Sequence, residues 1–385
     1  MKKLVLIFSP VLLLTTWLYA TEQWRFFHRA ITYPKAPITN LDWYDTTKEI
    51  PGSFIAPLSK TSSSPIDKDA LKEAQAYVQQ TPTSSLVVLH KNKLVHESYS
   101  SEQAASQLTN SMSMAKSIIA LLIGIAIDER KIKSVDDKVS DYLEHWQRDE
   151  RKEISLRNLL TMSSGLRCDN DTKDYTSDLV RLHLGTDIES LASELPSAEA
   201  PGKRFEYNNL NTQILGLVLE KVTGMSIGRY MSEKLWKPIG AQSTFMWKDT
   251  EKGMERAYCC IFARAKDYAR LGLLIQNQGK AQGKQVVSSK WIKMMSEASS
   301  NEPEYGLHLW RASPHGQRRM KNRKEEFIDS SMVYLDGKHK QRVYILPKYQ
   351  LVIVRTGERP KSWNDAFLPN TLVRGLNKTS KDTLQ

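Results

Sequence analysis

The run from Ile118 to Ile127, Ile-Ile-Ala-Leu-Leu-Ile-Gly-Ile-Ala-Ile, is apolar on every side rather than striped. It is too short to cross a bilayer, so it is predicted to form a helix buried around most of its circumference. Such a helix needs a large core around it, and its polar start, Ser111-Met-Ser-Met-Ala-Lys-Ser117, then opens where that core meets a surface or a cleft. Ser113 and Lys116 stand at i and i+3 there, which puts both side chains on one helical face. A serine hydroxyl needs a base in contact to act as a nucleophile, and a lysine in the wall of an apolar cavity can lose its proton cheaply enough to serve. Taken alone, the same pair is also what a helix N-cap followed by a solvated lysine looks like.

With 385 residues, 40% hydrophobic and 25% charged, the chain has the composition of one or two globular domains and excludes a disordered or fibrous protein. The formal net charge of +12 is spread along the chain without the basic and aromatic arrays of a nucleic-acid module, so no nucleic-acid partner is expected. Met1-Lys2-Lys3 followed by the apolar stretch Leu4 to Ala20 has the form of an export signal. Ala20 suits a cleavage site and Leu18 does not, which leaves a cleaved signal and an uncleaved membrane anchor through residues 4–20 both open. In either case the expected location is outside the cytoplasm, in a periplasm or on the outer side of an inner membrane. Cys168, Cys259 and Cys260 are an odd set with no histidines at ligand spacing, so no metal is expected.

The remaining organisation is expected as follows. Residues 21–64, rich in Pro, Thr and Trp, read as an extended arm, and residues 65–375 as the folded domain, with a tail at 376–385. Asp67 to Gln79 has a helical pattern, and Ser85 to His90 with Leu94 to Tyr99 read as a hairpin. From about 132 to 255 the signals are mostly helical, stopped by glycines such as Gly165 and Gly224. Helical patterns at Ala263 to Gln278 and Ser288 to Ala298 precede β-type runs at Tyr305 to Trp310, Ser331 to Leu335, Arg342 to Leu346 and Leu351 to Arg355. Strands at both ends around a helical middle predict one sheet assembled from the two ends of the domain, an α/β (α+β) fold.

Two further clusters carry possible chemistry. Tyr207-Asn-Asn209 enters a helix, where Tyr207 can transfer a proton and the Asn209 amide can orient a carbonyl, although a packed tyrosine and a helix cap would look the same. Asp336-Gly-Lys-His-Lys-Gln341 lies between two β-type runs and, alone, is a charged hairpin turn. In this order, Ser113-Met-Ala-Lys116, Tyr207-Asn-Asn209 and the 336–341 turn resemble the serine β-lactamase and penicillin-binding-protein superfamily, on its class C and esterase side. The likeness runs from about Ser84 to Gly357 and includes Leu159 to Gly165, Pro201-Gly202 and Leu215-Gly216. Within it, Asp174-Tyr-Thr-Ser-Asp178 before Arg181-Leu182, and Ala263 to Arg270 before Leu271-Gly272, bring the chain closest to aminohexanoate-dimer (nylon-oligomer) hydrolases and related esterases.

The resemblance implies a β-lactamase/transpeptidase-like fold, an antiparallel sheet flanked by helices plus an all-α part, with the site between them. It implies Ser113 as nucleophile, Lys116 and Tyr207 sharing the acid and base roles, Asn209 binding substrate, and hydrolysis of a small ester, amide or peptide through an acyl-serine, with no cofactor. The third motif departs from the family's usual Lys-Thr-Gly and related forms. Gly337 and Gln341 fit, while Lys338, His339 and Lys340 do not, so the cationic substrate contact falls to Lys338 with His339 as fallback, and Gln341 is counted with the substrate-binding residues. Cys260 stands where relatives commonly carry glycine, so Cys259 and Cys260 are buried thiols, a vicinal disulfide or an obstruction of the mouth, and inert buried thiols are the expectation. A peptidoglycan peptidase with the same residues, or a non-catalytic relative using the cleft for binding, are the rival readings; oligomeric state is not legible.

Overall fold

The computed structural model describes residues 22–53, 56–312 and 325–382; the apolar run at 4–20 lies outside the described residues. The arm is more structured than its composition predicts. It holds helix α1 (Trp24–Thr32) and strand β1 (Thr47–Ile50). Helix α2 (Lys68–Gln79) follows, capped by the Asp67 carboxylate accepting from the Asp69 and Ala70 N–H groups, and leads into the hairpin β2 (Thr83–His90) and β3 (Lys93–Tyr99). A two-residue strand β4 (Thr109–Asn110) and a 3₁₀ turn (Met112–Met114) open directly into α3 (Ala115–Asp128).

The helical part contains α4 (Leu156–Leu160), α5 (Asp178–Leu184), α6 (Ile188–Ser193), α7 (Asn209–Thr223) and α8 (Ile227–Met231). Strand β5 (Thr244–Trp247) breaks into its expected span of 132–255. Then come β6 (Ile261–Ala263), α9 (Ala265–Gln276), the small hairpin β7 (Lys280–Ala281) and β8 (Lys284–Gln285), and α10 (Ser289–Ser296). Strands β9 (Trp310–Arg311), β10 (Val333–Gly337), β11 (Gln341–Leu346) and β12 (Leu351–Gly357) precede the last helix α11 (Phe367–Asp382), which runs through most of the segment expected as a tail.

The main sheet has six antiparallel strands in the order β3-β2-β12-β11-β10-β9, so the last strand in sequence pairs with the first hairpin, Val354 opposite Val87 and Ile353 opposite Val88. Period-two alternation sends the two faces of each strand into different cores. Leu86, Val88, Leu351 and Ile353 pack with Ala74, Leu368 and Leu372 of α2 and α11, while Val87, Leu89, Val352 and Val354 join the larger core around α3 and α9. Gly272 of α9 makes that approach close, since a Cβ there would lie 2.6 Å from a Val352 methyl and 2.9 Å from one of Val343.

Every residue of α3 from Ala115 to Ala126 is buried, as the unstriped run requires. Its isoleucines and leucines are each stabilised by about 1.5–3 kcal/mol of burial. Gly124 leaves room for the Trp291 ring of α10, whose indole N–H donates to the Ala120 carbonyl at 3.0 Å. A second sheet, β1-β5-β6-β4, was not anticipated from the sequence; it joins the arm to the strand that delivers Ser113.

Candidate active site

Ser113 is held by the turn before α3. Ser111 N–H donates to the Ile261 carbonyl at 2.8 Å, and the Asn110 side-chain oxygen accepts from Met112 N–H at 2.8 Å and Cys260 N–H at 3.2 Å. Met112 takes a left-handed φ of +48°, a cost for a residue with a side chain that places strain directly before Ser113. Lys116 is 1% exposed and its Nζ donates to Ser113 Oγ at 3.0 Å and to the Tyr258 carbonyl at 3.1 Å. The same ammonium lies 5.0 Å from the centre of the Tyr207 ring and 5.7 Å from that of Tyr258.

Tyr207 reaches this point because the segment before α7 is laid along the 161–165 turn: Gly202 N–H donates to the Ser163 carbonyl at 2.7 Å and Glu206 N–H to the Met162 carbonyl at 2.7 Å. Its ring stacks on Trp310 at 5.9 Å. Asn208, fully inside, is the N-cap of α7, which leaves Asn209 on the first turn facing the cleft.

The cleft is a cavity of about 320 Å³ whose lining includes Ser113, Asn209, Lys338, Tyr258, Cys259 and His183, with Tyr33 from the arm and Leu179, Val180 and Leu184 from α5 as apolar walls. A larger hollow of about 830 Å³ beside β7 and β8 is lined mainly by amide side chains and holds no nucleophile paired with a base. Lys338 thus shares the cavity with Ser113. His339 does not: its ring turns to Glu358, Nδ1 lying 3.5 Å from the carboxylate. The Gln341 expectation is corrected. Its side chain is fully buried, accepting from Gly357 N–H at 3.1 Å and donating to the Gly357 carbonyl at 2.6 Å, because the register shift at Thr356/Gly357 leaves those backbone groups to it.

The turn carrying Lys338 is fixed from beneath. Gly337 lies so close to the nucleophile turn that a Cβ would meet the Ser111 carbonyl oxygen at 2.5 Å. His339 and Lys340 both have φ of +64°. The buried Arg355 guanidinium donates to the His339 carbonyl at 2.7 Å and the Gly357 carbonyl at 3.1 Å, and Lys340 is drawn to Asp365 at 3.2 Å. Burial alone would raise the Asp365 carboxyl, but Arg342 and Lys340 overcome it and hold its pKa at about 2.

Cys259 and Cys260 are not free thiols but are joined in a vicinal disulfide at the wall of the cavity, a correction to the expected inert pair. Cys260 has φ of +67°, the conformation that explains why glycine suits this position. Among the described residues, His183, Cys259 and Cys260 are the three soft donors close enough to hold a metal, within 4.8 Å of one another, and the S–S bond removes both thiolates. Behind Lys116, His308 is 1% exposed between Thr212 Oγ1 at 3.0 Å and Tyr305 Oη at 3.3 Å, and burial together with the Lys116 charge keeps it neutral, with a pKa lowered to about 3. No spacing rule points to His308, Asn110 or Tyr33, since each is joined to the site only through the tertiary fold.

The structure thus brings the Ser113–Lys116 pair, the Tyr207 ring with Asn209, and the strand end carrying Lys338 to one place. Residues 70–376 match the family model described as Beta-lactamase. The chain belongs to the Beta-lactamase family. It is a serine hydrolase of β-lactamase type, with the β-lactamase/transpeptidase-like fold. It is 24% identical to the 6-aminohexanoate-dimer hydrolase of Paenarthrobacter ureafaciens over 302 residues, 75% of this chain and 76% of that protein. In fold it is similar to a Bacillus anthracis protein with a provisional 6-aminohexanoate-dimer hydrolase assignment, with a TM-score of 0.71, 20% identity and coverage of 90% and 92% of the two chains. A family VIII carboxylesterase is similar over 82% of this chain and 99% of its own, with a TM-score of 0.63 and 14% identity.

Proposed function

We propose that this β-lactamase-family chain cleaves simple esters or linear amides through a covalent acyl-serine, in the manner of the class C-like hydrolases. The observation that carries the reading is the Lys116 Nζ at 3.0 Å from Ser113 Oγ, with the lysine buried and the serine lining the cavity. The form of Lys116 that has lost its ammonium proton is the reactive one: its amine takes the Ser113 Oγ proton as that oxygen attacks the substrate carbonyl. Lys116 and Tyr207 return a proton to the leaving alcohol or amine as the carbonyl re-forms, giving the acyl-enzyme, and water then releases the acid by the reverse path. The Ser113 N–H and a backbone N–H of the strand end after Gly337 are the candidate donors to the oxyanion, each of a kind that contributes roughly 100-fold or more in rate. Asn209 orients the acyl carbonyl, and Lys338 offers a cation to a substrate carboxylate.

Two features support esters and linear amides over β-lactams. The strand end lacks the Thr-Gly step along which a β-lactam lies, and the cavity walls at Tyr33, Leu179, Val180 and Leu184 are apolar. Covalent labelling of Ser113 by a fluorophosphonate, followed by turnover of short esters, linear amide dimers, D-alanyl peptides and a cephalosporin, tests this. Ester or amide turnover well above that of the cephalosporin is expected; a Ser113 that resists labelling, or cephalosporin turnover rivalling the best ester, overturns the reading.

A further inference from the structure

Helix α1 is built inside out. Arg29 is fully buried, its guanidinium donating to Asp45 at 2.8 Å and to the carbonyls of Leu184, Gly185 and Asp249 at 3.1, 2.9 and 2.7 Å, over the Trp247 ring. Arg25 also turns inward, to Asp45 and Glu22, each at 2.5 Å. The side chains left outside are Phe27, 55% exposed, and Ile31, 84% exposed, one turn apart, with exposed His28 and Thr32 beside them. A helix whose outer face meets water carries the opposite pattern.

The apolar surface continues into Tyr33, 41% exposed, and Tyr175, 62% exposed, whose ring packs 6.5 Å from Phe26. Four of the five large hydrophobic side chains exposed among the described residues therefore gather here. Contiguous exposed apolar side chains mark a contact surface. Exposed Lys35, Lys173 and Arg181 lie on the same segments, balanced by exposed Asp169, Asp171 and Asp174 and by the Arg181–Asp178 pair at 3.8 Å. In sequence, the apolar stretch from Leu4 to Ala20 ends four residues before α1 begins. Tyr33 is at once part of this surface and a wall of the Ser113 cavity.

We propose that this face docks on a phospholipid bilayer, setting the mouth of the Ser113 cavity against the lipid so that its substrates are long-chain acyl esters or amides dissolved in that bilayer. The docking stands on the α1 surface; the substrate class rests on the hydrolase reading above. A short helix with an apolar outer face lies in the interface plane. Four side chains fall well short of the roughly 20–30 residues a side of a stable protein dimer. The apolar walls at Leu179, Val180 and Leu184 continue from Tyr33 into the cavity and suit an acyl chain.

The full-length protein in vesicles of phosphatidylglycerol and phosphatidylethanolamine, with a photoactivatable diazirine on the lipid acyl chain, tests the docking directly. Crosslinks at Phe27, Ile31 and Tyr175 are expected. Crosslinks confined to residues 4–20, as when that run alone is inserted or folds back over α1, overturn it, and so does a second copy of the chain captured on α1 in place of lipid. In the same vesicles, the Phe27→Ser/Ile31→Ser variant should hydrolyse a vesicle-borne long-chain ester at least about tenfold more slowly, since each side chain withdrawn from lipid loses a decade or more of partition. Its turnover of a water-soluble acetate ester and its Ser113 labelling should stay unchanged. Equal turnover of the vesicle ester by both proteins refutes the lipid-substrate proposal; no labelling and no turnover of any ester refutes the hydrolase reading and the substrate class with it, while the crosslinks still decide the docking.

Discussion

Lys116 Nζ donates to Ser113 Oγ and to the Tyr258 carbonyl, and the second contact holds the nitrogen at the height of the first. Ser113→Ala and Lys116→Ala should each lower kcat by at least about a thousandfold, and the double variant should be little worse, because groups acting in one step lose their effect together. Losses that multiply across the pair would remove Lys116 as the partner of Ser113. Lys338→Ala tests the third cluster separately. It should raise KM about 10–100-fold for a substrate bearing a carboxylate, which forms a charge-assisted contact, and leave a neutral ester nearly unaffected. Equal effects on both substrates would take Lys338 out of the site.

Among the elements, the turn after β10 depends on a buried ionic cluster: Arg342 pairs with Asp336 and with Asp365 at 2.8 Å, and Asp365 also accepts from Tyr344 and Trp363 at 3.0 Å each. Asp365→Ala leaves Arg342 buried with one of its two carboxylate partners, and urea unfolding should show a loss of about 3–5 kcal/mol with Lys338 displaced. The elements legible in the sequence were those with an unbroken apolar run. The ten-residue run gave α3, and shorter runs rich in β-branched residues gave β2, β11 and β12 of the central sheet. The second sheet was hidden because β4 and β6 have two and three residues, too few to show alternation. Ser113, Lys116, Tyr207, Asn209 and Lys338 could be singled out because their clusters are local. Gln341 was misread because its partner, Gly357, is supplied by a bulge in a neighbouring strand.

At the scale of the whole molecule, His308 ties α3, α4 and α7 together: its backbone N–H donates to the Leu160 carbonyl at 2.9 Å, its carbonyl accepts from Ser117 at 2.5 Å, and its ring meets Thr212. Burial and the Lys116 charge lower its pKa to about 3, against about 6.5 in an unfolded chain. Above about pH 6.5 neither state carries the proton and the stability is complete; below it only the unfolded chain binds one, so stability falls as pH drops toward 3. His308 alone should contribute a slope approaching about 1.4 kcal/mol per pH unit near pH 5, and His183, likewise lowered to about 3 by desolvation, adds a comparable one. Urea titrations at pH 7 and pH 5 should show this loss, and His308→Gln should remove about half of it; an unchanged slope would assign the loss elsewhere. The strand order has a further outcome in time. Strand β12 sits between β2 and β11, so the centre of the main sheet cannot close until the chain has been delivered as far as Gly357. Until then the β2–β3 hairpin waits with an open edge, a long-range closure that is slow to find, and the growing chain remains in a state that can still be threaded through a narrow pore or captured by a chaperone.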